Sequence, residues 1–199
     1  MEEEINFDNF YTTEHVEGSM NLKEYIEKYY DEDVEYKLCK ECPNYGKVWM
    51  CPPHRENSLD VWKKFEEKYE KLDFIITKIN FTKEARSRTY SLDEILMKIV
   101  PNTYNKENYK LMADLRKKEK ETGGLFINAG PCILCTKGCQ RPLGKPCKKP
   151  DKARRGWDEL GTRICEAVED HTDLELKWFD LPKGIIPEYT CVITGFMHN

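Results

Sequence analysis

The sequence predicts an α+β fold, a small and mostly antiparallel sheet packed with helices, with two cysteine-rich loops between its elements. Three observations lead there. Amphipathic helical stretches with capping signals are interspersed with a few short β-type runs, and no repeat of fixed period is present. Hydrophobic residues make up 39% of 199, enough for one core of ordinary size and hardly for two, so residues 1–199 are expected to form a single domain. Seven of the nine cysteines fall in two tight stretches rich in Pro, Gly and Lys, a composition suited to loops.

The elements follow in order. Twelve Asp and Glu stand against two Lys over residues 1–35, and residues 1–20 are expected to form an acidic N-terminal arm. Residues 21–30 fit a short capped helix. Ser58 is placed to cap a helix whose Val61, Trp62, Phe65, Tyr69 and Leu72 fall on one side. Residues 73–79, rich in Phe and Ile, predict a strand. Ser91 and Glu94 have capping-box spacing, and Leu92, Ile95, Leu96 and Ile99 follow the helical period until Pro101 is expected to stop it. Residues 105–121 predict a longer, highly charged helix closed by Gly123 and Gly124. Residues 156–170 predict another, with Trp157, Leu160, Ile164 and Val168 as its inner stripe. Residues 174–179 and 190–196 are β-type runs joined by a connection containing Pro and Gly.

Charged residues reach 34%, and mean hydropathy is -0.75. No run approaches the roughly 20 apolar residues that cross a bilayer, and Met1-Glu2-Glu3-Glu4 is the reverse of a basic signal-peptide start. A cytoplasmic protein without membrane contact is therefore expected. An odd number of cysteines cannot pair completely, and the cytoplasm keeps thiols reduced. Clustered thiols in that setting favour metal ligation over a disulfide framework.

The second cluster, within residues 130–150, holds Cys132, Cys135, Cys139 and Cys147. The two residues between Cys132 and Cys135 let one backbone turn aim both sulfurs at a common centre. Four thiolates in a short loop suit a [4Fe–4S] cube or a tetrahedral zinc site. Uneven spacing favours the cube, because a zinc ribbon prefers two matched Cys-x-x-Cys knuckles and this loop has one. Prolines at 131, 142, 146 and 150 stiffen the loop, and Gly130, Gly138 and Gly144 permit positive φ. Eight Lys and Arg stand against Asp151 alone over residues 132–155. Cations there lower the energy of a negatively charged cube and raise its reduction potential; a merely solvated loop and a phosphate-binding patch are the other meanings of that charge.

The first cluster, within residues 38–54, holds Cys39, Cys42 and Cys51, followed by Pro52, Pro53 and His54. Three sulfurs leave a fourth position for His54, another cysteine or an exogenous molecule, and an open position is what a catalytic metal needs. His54 is more ordinarily a surface side chain. Trp49 and Tyr45 are candidates to shield the site or simply to fill core. Cys165 and Cys191 are expected to pack in the core, as free cysteines commonly do.

The two loops together resemble the DUF2284 family of predicted metal-binding proteins. The family's early Cys-x-x-Cys, Tyr-Gly and Cys-Pro-Pro are matched by Cys39, Cys42, Tyr45-Gly46 and Cys51-Pro52-Pro53. Its later Gly-x-Cys-x-x-Cys, Pro-Cys and Pro are matched by Gly130, Cys132, Cys135, Cys139, Pro146-Cys147 and Pro150, and Arg155 and Glu159 stand where the family has an Arg and a Glu at a helix start. The gap from Cys135 to Cys139 is one residue longer than the family's usual one, and Arg155-Gly156-Trp157 replaces its Arg-Pro-Ser. The resemblance implies a cytoplasmic metal-binding protein, with iron–sulfur as the favoured form, and supplies no reaction.

Three functional classes follow from these residues. The leading expectation is a ferredoxin-like electron carrier or redox subunit holding one or two [4Fe–4S] clusters, its basic loop docking an acidic redox partner protein. The second is a metalloenzyme that takes a small-molecule substrate on the open position of the Cys39, Cys42 and Cys51 centre. The third is a zinc-stabilised binding module, although a net charge of -4 and a pI near 5.7 argue against nucleic acid as its ligand.

Overall fold

The computed structural model describes residues 5–199; the first four residues of the expected acidic arm lie outside the described residues. In chain order the elements are β1 (Tyr11–Asn21), α1 (Leu22–Tyr29), the single turn α2 (Glu32–Val34), α3 (Ser58–Glu66), β2 (Lys71–Phe81), α4 (Lys106–Thr122), β3 (Leu125–Asn128), α5 (Ile164–His171) and β4 (Tyr189–His198). The four strands form one antiparallel sheet in the order β1-β2-β4-β3. The fold is therefore α+β, as the sequence predicts.

Both faces of the sheet are covered, which is why β4 is buried along nearly its whole length. Leu72, Phe74 and Ile76 of β2 and Ile193 of β4 face α1, α3 and α5, where Tyr25, Trp62, Trp157 and Val168 complete one core. Ile79, Phe81, Val192 and Phe196 face the other way, onto Ile95, Ile99, Leu111 and Leu115. Gly195 of β4 makes room for the first core: a Cβ there would meet Trp157 at 3.0 Å and Leu72 at 3.1 Å. Trp157 Nε1 donates to Tyr25 Oη at 2.7 Å, which in turn donates to Thr162 Oγ1 at 2.8 Å, so the deepest polar atoms are satisfied.

Several sequence expectations need correction. From Tyr11 onward the stretch expected to be an acidic arm is β1, an edge strand whose register places Val16 opposite Ile76 and Met20 opposite Leu72. Its polar, scattered composition hid it, because an edge strand buries few side chains. Residues 174–179 form no strand. Asn57, not Ser58, caps α3, its side chain accepting from Leu59 N at 2.8 Å. The capping box at Ser91 and Glu94 is present, with reciprocal bonds of 3.1 and 2.9 Å. Pro101 does not end that helix. Wide turns with i→i+5 bonding over Glu94–Ile99 and Pro101–Asn105 carry the chain into α4, absorbing the hydrogen bond that proline cannot make. Leu92 and Leu96 are exposed, whereas Ile95 and Ile99 are buried.

No helix among the described residues is long and apolar enough to cross a membrane. The two cysteine loops leave this scaffold between α2 and α3, and between β3 and α5.

Candidate metal centre

The first loop is a chain of tight turns. A wide turn over Glu35–Cys39 delivers Cys39, and Cys42 N donates to Cys39 O at 3.1 Å. Gly46 N closes the loop on Pro52 O at 2.8 Å, and Cys51 N reaches Val48 O at 3.1 Å. Asn44 Nδ2 lies 3.8 Å from Cys42 Sγ, a sulfur-directed hydrogen bond. The Cys51 thiol is pushed up to about 12, by burial first, then by the carboxylates of Glu159 and Asp158 and by Cys42 and Cys39. Cys51 is thus within electrostatic reach of both other cysteines of its group.

The second loop starts where β3 ends. Gly130, at φ +87°, turns the backbone in a conformation that a side chain would strain, and its N–H donates to Asp158 Oδ1 at 2.6 Å. Helix α4 props the loop from beneath: Tyr109 Oη donates to Ile133 O at 2.6 Å and Arg116 Nη2 to Lys152 O at 2.6 Å. Cys132, Cys135, Cys139 and Cys147 are all half-buried and line one cavity of about 490 Å³ with Trp49, Met50, Ile133 and Leu134. Burial raises the Cys132 thiol against the opposing hydrogen bond from Leu134 N, and the other three cysteines raise it further. Amides are aimed at two more of these sulfurs: Trp49 N lies 3.3 Å from Cys139 Sγ, and Lys149 N lies 3.4 Å from Cys147 Sγ.

The two loops dock on each other. Arg141, between Cys139 and Cys147, points its guanidinium into the first loop and donates to Val48 O and Pro53 O at 2.8 Å each and to Cys51 O at 2.5 Å. Trp49 Nε1 returns a bond to Lys145 O at 2.9 Å. Beneath them both lies the turn Asp158–Leu160. Asp158 holds Gly130 by accepting from its N–H. Glu159, 2% exposed, accepts from Arg155 Nε and sits 2.7 Å from His54 Nε2, too far out of line for a hydrogen bond. Among the described residues no group of three or more His, Cys, Asp or Glu side chains is drawn together tightly enough for a single metal ion; the four cysteines of the second loop line one open pocket.

A family model described as "Predicted metal-binding protein (DUF2284)" matches residues 27–193. The chain belongs to this family. The matched span of this DUF2284 protein takes in both cysteine loops, Arg155 and Glu159, and leaves β1 outside. Neither a curated protein nor a solved structure matches the chain.

The structure therefore brings Cys132, Cys135, Cys139 and Cys147 to one cavity, and Cys39, Cys42 and Cys51 to a neighbouring loop. His54 is turned inward, with its side chain 17% exposed, in place of the surface position expected for it. Trp49 is half-buried and bridges the loops. Cys191 is buried as expected, whereas Cys165 is exposed, because it lies one residue past Ile164 and turns off the inner stripe of α5. Sequence reasoning missed Arg141 and Asp158. Arg141 counted only as one charge in a basic run, and its position between two cysteines was the available signal.

Proposed function

We propose that this chain is a cytoplasmic iron–sulfur protein that works in electron transfer, as a carrier or as the redox subunit of a larger system. Cys132, Cys135, Cys139 and Cys147 are its cluster ligands, and Cys39, Cys42 and Cys51 serve a second centre. The observation that carries the proposal is that four thiols line one open pocket of about 490 Å³, together with Trp49, Met50, Ile133 and Leu134. Thiols spread around a pocket, with no three drawn in on one point among the described residues, suit a wide cube better than a single zinc ion with its sulfurs at about 2.3 Å. A bound cluster supplies one-electron chemistry. The residues around it fit that group: the amides of Leu134, Trp49 and Lys149 direct N–H groups at Cys132, Cys139 and Cys147, which withdraws electron density from the sulfurs and raises the potential.

The partner is a protein with an acidic docking face. Lys137, Lys145 and Lys148 are exposed on the second loop, and Leu143, 64% exposed, stands among them. Long-range attraction brings such a partner in, and an apolar contact at Leu143 holds it.

Purification without oxygen should give brown protein carrying iron and acid-labile sulfide. Colourless protein carrying only zinc defeats the redox assignment and leaves the zinc-stabilised module. A second reading, a metalloenzyme with an open position at the first loop, is favoured by one observation: buried Glu159, with His54 beside it, lies near Cys51 and offers acid–base groups at that centre. A spectrum that shifts on adding a small molecule, without electron uptake, marks that case.

A further inference from the structure

We propose that the two cysteine loops take up metal as a coupled pair, and that Arg141 is the positioning residue that couples them. The inference rests on the metal-centre assignment above and goes beyond it, since two centres in one chain have no general reason to load together.

The argument starts from what holds each loop in shape. Neither loop has strand or long-helix backbone bonding of its own; each is built from short turns. The second loop is also tied to α4 and to Asp158, but the turns that carry Cys51 and Cys139 are tied to each other. The Arg141 guanidinium, from the second loop, gathers the carbonyls of Val48, Cys51, Pro52 and Pro53 in the first, at 2.8, 2.5, 3.4 and 2.8 Å. These carbonyls flank the Cys51 side chain on both sides along the chain. In return the first loop gives Trp49 N to Cys139 Sγ at 3.3 Å and Trp49 Nε1 to Lys145 O at 2.9 Å. The Arg141 guanidinium also sits 5.4 Å from the Trp49 ring centroid, within cation–π range.

Each loop thus contributes an atom group to the immediate surroundings of the other loop's thiols. A metal bound by Cys39, Cys42 and Cys51 fixes the Cys51 backbone, and with it the carbonyl grip on Arg141 and the amide directed at Cys139. A metal bound by the second loop fixes Cys139 and the turn Arg141–Leu143, and so presents the guanidinium to an empty first loop already in place. Ordering paid for by the first binding event is not required again at the second, which is positive coupling. Such coupling is reciprocal, and typical values run from about 5-fold to 150-fold in affinity. A coupling of about tenfold, inside that range, is the expected value here.

The test uses the full chain, stripped of metal and reconstituted without oxygen with equal amounts of ferrous and ferric iron and with sulfide. Iron is supplied at half the saturating amount, and native mass spectrometry counts the chains that carry no centre, one or two. Coupled loops give mostly empty and doubly loaded chains; a statistical excess of singly loaded chains overturns the coupling. In Arg141→Met the distribution should become statistical, and in Arg141→Lys, which keeps the charge without the planar fork, it should fall between. Cys135→Ser should weaken iron uptake at the first loop about tenfold, and Cys51→Ser should weaken it at the second by the same factor. Unchanged affinity in both variants overturns the inference. Should a variant fail to fold, the wild-type distribution decides alone. A wild-type chain that takes up no iron at all overturns the metal-centre assignment itself, a result distinct from two centres that fill independently.

Discussion

Replacing Glu159 with Gln changes one charge at the place where the scaffold meets both loops. The Glu159 carboxylate is 3% exposed and its partners Arg155 and His54 are 18% and 17% exposed, so water screens little of the interaction. Gln keeps the shape and one acceptor oxygen but leaves the half-buried Arg155 guanidinium without its hydrogen-bonded counter-charge, the more distant Glu56 being the carboxylate that remains near it. Removing one member of a buried pair costs about 3–5 kcal/mol, and the retained acceptor puts this substitution near the lower end, about 3 kcal/mol. With a urea dependence of about 2–3 kcal/mol per molar for a chain of this size, the unfolding midpoint should fall by roughly 1–1.5 M. Equilibrium urea unfolding followed by tryptophan fluorescence measures it, on samples of matched metal content. The double substitution Arg155→Met with Glu159→Leu removes both charges and should recover most of the loss. A shift below about 0.3 M for Glu159→Gln, or a double variant as unstable as the single one, refutes the claim that an uncompensated charge is what matters.

Three other outcomes are expected. Trp157→Phe removes the donor to Tyr25 Oη and part of a ring stacked on Phe74 at 5.7 Å, and should cost about 2–4 kcal/mol in the same unfolding experiment. Ser91→Ala breaks the reciprocal cap with Glu94 and should cost about 1 kcal/mol, with little effect on metal content. Burial pushes the Cys191 thiol up from near 9 to about 11. The unfolded chain therefore gives up that proton first, so the contribution of Cys191 to stability is complete below pH 9 and is lost as the pH climbs toward 11, about 2–3 kcal/mol in all. The difference in stability between the wild type and Cys191→Ala should shrink across that window, and a constant difference from pH 8 to 11 counts against the buried thiol.

What the sequence revealed tracks burial. Strand β4 and the Val61 and Trp62 positions were legible because buried residues must be apolar, and period then distinguishes helix from strand, whereas the helix expected over residues 156–170 begins only at Ile164 and Trp157 is buried from the turn before it. Strand β1 was not legible, since its pairing is made by backbone groups that every residue carries, and only its periodic inward contacts leave a trace. The extent of the helical run past Pro101 was hidden for a similar reason: widening the turn is a backbone adjustment that side-chain pattern does not announce. At the candidate centre, thiol identity and spacing were plain, because a metal demands a small set of donor types. The partners of those thiols were obscure. Arg141, Trp49 and Asp158 act across large sequence separations through carbonyls and amides, and no local pattern records which carbonyl a guanidinium will find.

Strand β1 also bears on how the protein behaves in crowded solution. Its free side runs along the rim of the sheet, with hydrogen-bonding groups that a second chain is able to use as a template. Glu14 and Glu17 are both exposed on this strand, on opposite faces of the sheet, with Glu14 3.4 Å from Lys78, and a like strand pairing at the rim would bring its own glutamates close to them. Charge on an edge strand disfavours edge-to-edge pairing, so charge-neutralising changes at these two positions should raise the tendency to self-associate while leaving the distant thiols untouched.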